Sequence, residues 1–393
     1  MLYLDTFGAS GGLGRCTIEL LPALAERLDR VVLAGQSHVV DSYRDQLSET
    51  EKLRFWNLEH PRFHPGALLL RLKAKKQPGS TAFTETLLRR AGIRSRNSHP
   101  VLINYPQAIA PPRKDFGFDT FIHDLNWRHF PGNFPDPEAL DHRCADWIRK
   151  SRRIFTNSDF TRQEIIEAYR IEPGRVISAP LAPPAKSPAF SEAETQDALK
   201  RASLKPDGFF FYPAAHGLHK GHDVLAAALE ACGTKPVLPV VITARIDPDL
   251  AGSSRGQQVF LTSVKERLRT LRLAGRIISL PGLSWPHLMA IAFSCRAYVL
   301  PSKFEGFGFP LVEAMSLRKP SLCSDIPAFR EILARYGSKI QAATFPSGDS
   351  GVLRDLLIEA SRENIFVNSE PASDNPSAGW SWSDTAKAIT DAL

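Results

Sequence analysis

A chain of 393 residues, 43% hydrophobic and 23% charged, is long enough for two or three domains with full cores, and its longest apolar runs, such as VLPVVITA, are too short to cross a bilayer. The net charge of +7 is concentrated: residues 62–99 hold nine Lys or Arg and one acid, Glu85, while the other 40 basic and 41 acidic residues nearly cancel. This excludes a nucleic-acid protein that is basic throughout and points to a local anionic partner.

MLYLD reads as an opening strand, without the basic start and apolar run of a signal peptide. The loop TFGASGGLGR follows, then the helix CTIELLPALAERL. Gly12 and Gly14 give GxG, but Thr17 stands where a dinucleotide fingerprint has its third glycine, and the next strand, RVVLAGQ, ends without an acid to hold a ribose. An NAD enzyme is therefore not expected. Gly11, Gly12 and Gly14 still allow a ligand to approach the backbone, with Arg15 facing its charge; the plainer alternative is a tight strand-to-helix turn. VLINY, DTFIHDL and RRIFTNS read as further strands, His123 standing at the end of the second, and FTRQEIIEAYR as a helix with Thr161 and Glu164 as its capping box. Four prolines in PLAPPAKSPAFSEAETQ mark a linker.

Beyond it, GFFFYPA, VLPVVITA, RIISLPG, AYVLPS and PSLCS read as strands. HDVLAAALEAC, SVKERLRTLRLA, PHLMAIAFS, PLVEAMSL and AFREILARY read as the helices between them. Strands alternating with amphipathic helices imply an α/β fold: two doubly wound parallel sheets and ligands at the carboxyl ends of strands. Five scattered cysteines without a CxxC pair indicate neither disulfides nor a thiolate zinc site, and suit a reducing cytoplasm.

Two loops of the second half carry chemistry. In AAHGLHKGHDVL, Lys220 and Gly221 precede a helix, which suits a diphosphate held by one point charge and backbone amides. His216, His219 and His222 are spaced by three without an HExxH motif, and Asp247-Pro248-Asp249 reads as a turn, so no metal is expected at either place. In PSKFEGFGFPLVEAM, Glu305 and Glu313 flank Gly306, Phe307, Gly308 and Phe309, and Pro310 opens a helix. Carboxylates repel phosphate but accept several hydrogen bonds from hydroxyls, so a ligand with both phosphate and sugar accounts for both loops. The alternatives are a helix-dipole role for Glu313, and solvated surface positions for Glu305 and Lys220.

Together EGFGFPLVEAM, YPAAHGLHKGHDVL, FIHDLNWRHFPGNFP, TNSDFTRQEII and GGLGR resemble the retaining nucleotide-sugar glycosyltransferases of the GT-B fold. The family is the large one numbered four, glycosyl transferases group one, and the chain looks mannosyltransferase-like. The likeness is strongest from Phe209 to Glu331. It implies an acceptor-binding Rossmann-like domain over 1–185 and a donor-binding one over 186–377, facing a central cleft. A closing helix over 378–393 would pack back on the first domain. It implies catalytic roles for Glu305, Lys220 and His123, ribose binding by Glu313, and donor contacts from His216, His219 and the stretch Gly306 to Phe309. Two departures stand out: no arginine precedes Lys220, and Arg318 in EAMSLRKP replaces the usual glycine.

The function implied is transfer of a hexose, with a lean to GDP-mannose, to a glycan or lipid-linked hydroxyl with an α-linkage. No cofactor or metal is implied. An epimerase or hydrolase on the same fold, or a silent nucleotide-sugar-binding partner, are the other readings. Within 62–99, Leu68, Leu69, Leu70 and Leu72 beside Arg71, Lys73, Lys75 and Lys76 suit peripheral docking to an anionic membrane from the cytoplasm. Ordinary amphipathic helices with leucines in the core are the alternative.

Overall fold

The computed structural model describes residues 1–5, 11–57, 81–90, 101–104, 109–113, 116–184, 191–246, 255–336, 341–363 and 380–393. Its strands form two parallel sheets. The first contains β1 (Leu2–Leu4), β2 (Val31–Gly35), β3 (Leu53–Asn57), β4 (Val101–Asn104), β5 (Asp119–Ile122), β6 (Ile154–Thr156) and β7 (Val176–Ser178). The second contains β8 (Phe210–Tyr212), β9 (Val240–Ile242), β10 (Ile277–Ser279), β11 (Ala297–Leu300), β12 (Ser321–Asp325) and β13 (Ala342–Pro346). Their orders are β3-β2-β1-β4-β5-β6-β7 and β10-β9-β8-β11-β12-β13. Each order reverses once, between β1 and β4 and between β8 and β11, and open α/β sheets hold ligands beyond the carboxyl ends of the strands at such a point.

Central strands are apolar on both faces because helices cover both. In the second sheet Phe210, Tyr212, Val240, Ile242, Val299 and Leu322 share one core with Leu225 and Leu229 of the helix His222–Ala231. In the first, Leu2, Leu4, Val101 and Ile103 pack with Phe118 and Trp147.

Two compact units result. One comprises residues 1–125, 138–182 and 380–393, the other 126–137 and 183–379. The short segment 126–137 thus joins the second unit, which a single boundary at 185/186 does not describe. The closing helix Trp382–Thr390 packs on the helix Gly11–Arg27, with Arg27 Nε donating to Thr390 Oγ1 at 2.9 Å.

Several local expectations are corrected. The cap of the helix Asp159–Tyr169 is Ser158, whose hydroxyl accepts from the Thr161 backbone N–H; Thr161 is already inside the first turn, so it does not form a capping box with Glu164. The linker ends at Ser191, which forms a true capping box with Glu194 and starts the helix Glu192–Arg201. Helices Pro137–Lys150 and Ser350–Arg362 and strands β3, β7 and β13 are additions to the predicted elements. Asp247 and Asp249 lie outside the described residues, as do residues 62–80 and 91–99 of the basic segment. Of that segment, the helix Thr81–Arg90 is described: Leu88 is buried in the first unit's core and the Arg89 guanidinium lies 5.4 Å from the Phe116 ring centre.

Candidate functional site

The loops after β8 and β11 meet at the switch point of the second sheet. Gly221 caps the helix His222–Ala231 at φ +78°, and a Cβ there would lie 2.0 Å from the Pro301 carbonyl oxygen. Only glycine meets both demands, and the contact draws the two loops together. Lys220 Nζ therefore reaches both carboxylate oxygens of Glu305, at 2.8 and 2.9 Å, and Ser302 Oγ donates to Glu305 at 2.8 Å. The Lys303 backbone N–H donates to the His219 carbonyl at 2.7 Å, its ammonium pairs with Asp223 at 2.6 Å, and Tyr212 donates to the Lys220 carbonyl. Burial pushes the Glu305 carboxyl up, but the Lys220 charge and the bonds from Lys220 and Ser302 outweigh it and hold the carboxyl below its usual range. Residues assigned from sequence to different parts of a ligand are thus in direct contact, each charge compensating the other.

The second glutamate lies on the helix Phe309–Ser316, which starts at Gly308. Gly308 has φ +114°, and a Cβ on it would meet the Phe329 ring at 2.6 Å. Pro310 sits in the first turn as expected, Gly306 and Phe307 are buried, and the Phe307 and Phe309 rings pack edge to face with centres 5.5 Å apart. Glu313 is half-buried on the side of Tyr298: burial raises that phenol's pKa, and the Glu313 charge adds to the effect. Arg318, at the position where the family pattern has glycine, takes the left-handed conformation, φ +53°. The turn closes all the same: Lys319 N donates to Ala314 O at 2.8 Å and Arg318 N to Met315 O at 2.9 Å. This is the Schellman pattern, formed without glycine at a cost of about 1 kcal/mol.

The three histidines go separate ways. His216 donates through Nε2 to the Arg245 carbonyl. His222 is fully buried against Tyr212 and His216, with ring centres 4.9 and 5.1 Å away, and burial pulls its pKa down to about 3. His219 is half-buried, and burial and the neighbouring Lys220 charge lower its pKa to about 4. Among the described residues no three His, Cys, Asp or Glu side chains are grouped to hold a metal ion.

In the first unit, Gly11 opens the helix Gly11–Arg27 at φ +60°, Gly14 is buried inside it, and Arg15 pairs with Glu19 one turn on at 2.7 Å. Residues 6–10 of that loop lie outside the described residues. His123 follows β5, buried and stacked on Phe121 with ring centres 4.6 Å apart, and burial lowers its pKa to about 3. Its Nε2 lies 2.7 Å from Asn104 Oδ1.

Residues 195–367 match the family model described as glycosyl transferases group 1. The chain is 25% identical over 360 residues to O-antigen chain mannosyltransferase B of Escherichia coli, covering 90% of this chain and 88% of that one. It is 20% identical to O-antigen chain mannosyltransferase RfbU of Salmonella typhimurium over 63% of each chain, so it spans under two thirds of that relative. Among solved structures, Anabaena Alr3699/HepE in complex with UDP and glucose superposes with a TM-score of 0.70 at 16% identity, covering 99% of this chain and 98% of that one. Sucrose-phosphate synthase from Thermosynechococcus elongatus superposes at 0.69 and 13% identity, covering 100% and 98%. The chain is a GT-B glycosyltransferase.

Three groups of the glycosyltransferase escaped the sequence reading. Asp5 Oδ2 accepts from Thr17, Tyr43 and Asn104, at 3.1, 3.1 and 2.9 Å, and so fixes the asparagine that holds His123. Asn133 binds the loop after β8, accepting from Leu218 N at 2.8 Å and meeting His219 Nδ1 at 2.9 Å. His129 stacks on Phe304 with ring centres 4.4 Å apart. GNFP stood out only as part of the family-like stretch FIHDLNWRHFPGNFP, and spacing along the chain does not announce side-chain partners 85 residues away.

Proposed function

We propose that this glycosyltransferase moves a hexose from a nucleotide-diphosphate sugar, GDP-mannose, to a hydroxyl of a glycan or lipid-linked acceptor, with retention and an α-linkage. The Lys220–Glu305 pair at the switch point, with Glu313 on the helix that follows, carries this reading. The mannosyltransferase relatives support the choice of sugar. In the reaction the bond from the sugar's C1 to the diphosphate oxygen breaks. A bond from C1 to the acceptor oxygen forms, the acceptor's proton passes to the departing diphosphate oxygen or to water, and the nucleoside diphosphate departs with the electron pair of the broken bond.

The residues divide accordingly. When the donor enters, Lys220 exchanges part of its bond to Glu305 for the diphosphate, whose negative charge grows as it leaves. Glu305 turns its oxygens to hydroxyls of the transferred sugar, and Glu313 holds the ribose. His216 and His219 line the loop that carries the diphosphate. His123, neutral through burial, accepts a hydrogen bond from a substrate hydroxyl. Lys220 supplies the cation, so transfer should persist in excess EDTA. A thermal-shift screen against nucleotide sugars tests the donor: one present at 100 times its Kd adds about 2.7 kcal/mol of stability. Stabilisation by a UDP-sugar and none by GDP-mannose would replace the donor; stabilisation by no nucleotide sugar would overturn the reading.

The basic segment 62–99 is proposed to dock on the anionic inner leaflet of the membrane. Leu88 is buried in the protein core, so the docking reading rests on the basic residues, at about 1 kcal/mol each near the surface, and on Leu68, Leu69, Leu70 and Leu72. Replacing Lys73, Lys75 and Lys76 with glutamine should reduce co-sedimentation with anionic vesicles while donor binding is unchanged. Unchanged sedimentation, or none by the parent, favours a soluble acceptor.

A further inference from the structure

Asn133 belongs to the segment 126–137, which follows β5 in sequence but is part of the second unit. Its side-chain amide has one bond of fixed direction. The Leu218 backbone N–H, which can only donate, lies 2.8 Å from Asn133 Oδ1. The other end of the amide, Nδ2, is therefore the atom 2.9 Å from His219 Nδ1. An amide NH₂ only donates, so His219 Nδ1 accepts and carries no proton. Asn126 Nδ2 approaches the same nitrogen at 3.3 Å. The ring is neutral at pH 7, so its single proton is on Nε2.

The surroundings leave the ring little freedom. Lys303 N fixes the His219 carbonyl at 2.7 Å. Gly217 makes room for the ring, because a Cβ there would stand 2.7 Å from His219 Cε1. His219 Nδ1 is occupied by the amide, so Nε2–H is the donor that the loop has left to offer beside Lys220.

We propose that Asn133 is a positioning residue: it holds His219 as the Nε2–H tautomer, so that the loop presents one uncharged N–H donor, next to the Lys220 ammonium, to the donor's diphosphate. This rests on the proposed function for the identity of the ligand, but not for the tautomer. One cation and one neutral donor bind a diphosphate without the repulsion that two adjacent cations would bring to the empty site. The donor also keeps its proton across the working pH range.

The test is NMR of the full chain with ¹⁵N-labelled histidine. At pH 7 the wild-type His219 should show a bare Nδ1 and a protonated Nε2, and the Nε2–H signal should shift on adding GDP, UDP or inorganic pyrophosphate. Asn133→Asp keeps an acceptor for Leu218 N but offers His219 only an acceptor, so the proton should move to Nδ1. The carboxylate also raises the ring's pKa. With GDP-mannose at pH 8 the variant should lose about 10²-fold in kcat with little change in KM, the cost of one missing donor to the leaving group. Its activity should recover as the pH falls and the imidazolium regains Nε2–H. Lys220, Glu305 and His222 also act on this ring, and Asn126 and the Phe130 ring face it from the 126–137 segment; all are present in both proteins, so the difference between the two profiles reports Asn133. His219→Gln, which keeps a neutral donor at similar reach, should retain more activity than His219→Ala.

A wild-type ring protonated on Nδ1, or an Asn133→Asp protein with the wild-type tautomer and pH profile, would overturn the inference. If Lys220→Ala abolishes transfer while no diphosphate shifts Nε2–H, the inference fails and the proposed function stands. If the tautomer is as stated but no nucleotide sugar turns over, the proposed function fails and takes with it the ligand, though not the tautomer.

Discussion

His123 follows β5 in the first unit and His219 follows β8 in the second; both rings are neutral and each is tied to an asparagine. Asn104 gives its Nδ2 to Asp5 at 2.9 Å, so its Oδ1 faces His123 Nε2 at 2.7 Å, and that nitrogen is the one that carries the proton. Asn133 gives its Oδ1 to a backbone N–H, so its Nδ2 faces His219 Nδ1. The first ring is left with a bare Nδ1, an acceptor, and the second with Nε2–H, a donor. A bond one step removed from the ring, to a carboxylate in one case and to an amide N–H in the other, decides which nitrogen each histidine offers.

The regions also differ in charge. The second has Lys220 and Glu305 beside its ring, whereas the ionisable groups behind His123 are enclosed in the Asp5 network. Lys220→Ala should slow transfer by about 10²-fold or more, because it strips the cation from the leaving group. Glu305→Ala should lower turnover as severely while leaving nucleoside diphosphate binding nearly intact, and Glu313→Ala should weaken that binding. His123→Ala removes a single acceptor and should cost about 10-fold in kcat. Steady-state kinetics with isothermal titration of GDP separates these. A His123→Ala loss as large as that of Lys220→Ala would mean that this ring does more than accept one bond.

The two glycine turns sharpen the contrast in stability. Gly221→Ala faces a backbone carbonyl at 2.0 Å as well as a left-handed φ, and should cost about 3 kcal/mol or more while pulling Lys220 away from Glu305. Gly11→Ala meets nothing within 4 Å and should cost only the conformational penalty, about 1 kcal/mol. Urea unfolding measures both. Equal costs would show that the contact between Gly221 and Pro301 relaxes easily and does not fix the loops.

Much of this was legible in the residues. Buried central strands such as FFY and AYVL read plainly because both faces are apolar. Three of the four edge strands, β3, β7 and β13, did not: LRFWN alternates with an exposed arginine, and AATFP ends in proline, as edges do. The S-x-x-E of Ser191 and Glu194 was present but lay inside a run read as linker because of its prolines. At the site, glycines and carboxylates at loop positions gave the two loops, since only loop chemistry explains them. The Lys220–Glu305 contact and both asparagines depend on distances across the fold, which no spacing along the chain encodes.

A last expected effect is on acid stability, and it concerns both histidine regions at once. His123 and His222 have pKa values near 3 and His219 near 4, against about 6.5 in the unfolded chain. As the pH falls through 6.5 the unfolded chain binds a proton at each ring and the folded chain does not, so protons favour unfolding. The stability these rings allow is complete above pH 6.5 and is lost progressively toward pH 4 for His219 and pH 3 for the others. Below 6.5 each ring removes up to about 1.4 kcal/mol per pH unit. Glu305, held below the usual carboxylate range, adds to the loss only at about pH 4.5 and lower, so the interval from 6.5 to 5 reports histidines. Urea unfolding at pH 7.0, 6.0 and 5.0 should show that decline, and His222→Gln, which cannot titrate, should have a shallower slope than the parent. Asn104→Asp should also flatten it, because a carboxylate beside His123 Nε2 favours the imidazolium in the folded chain, whereas Asn104→Ala, which leaves the ring buried and unpaired, should not. Stability flat between pH 7 and 5 in the parent would mean that these rings admit a proton in the folded state, and the division into one acceptor and one donor would then hold only above that pH.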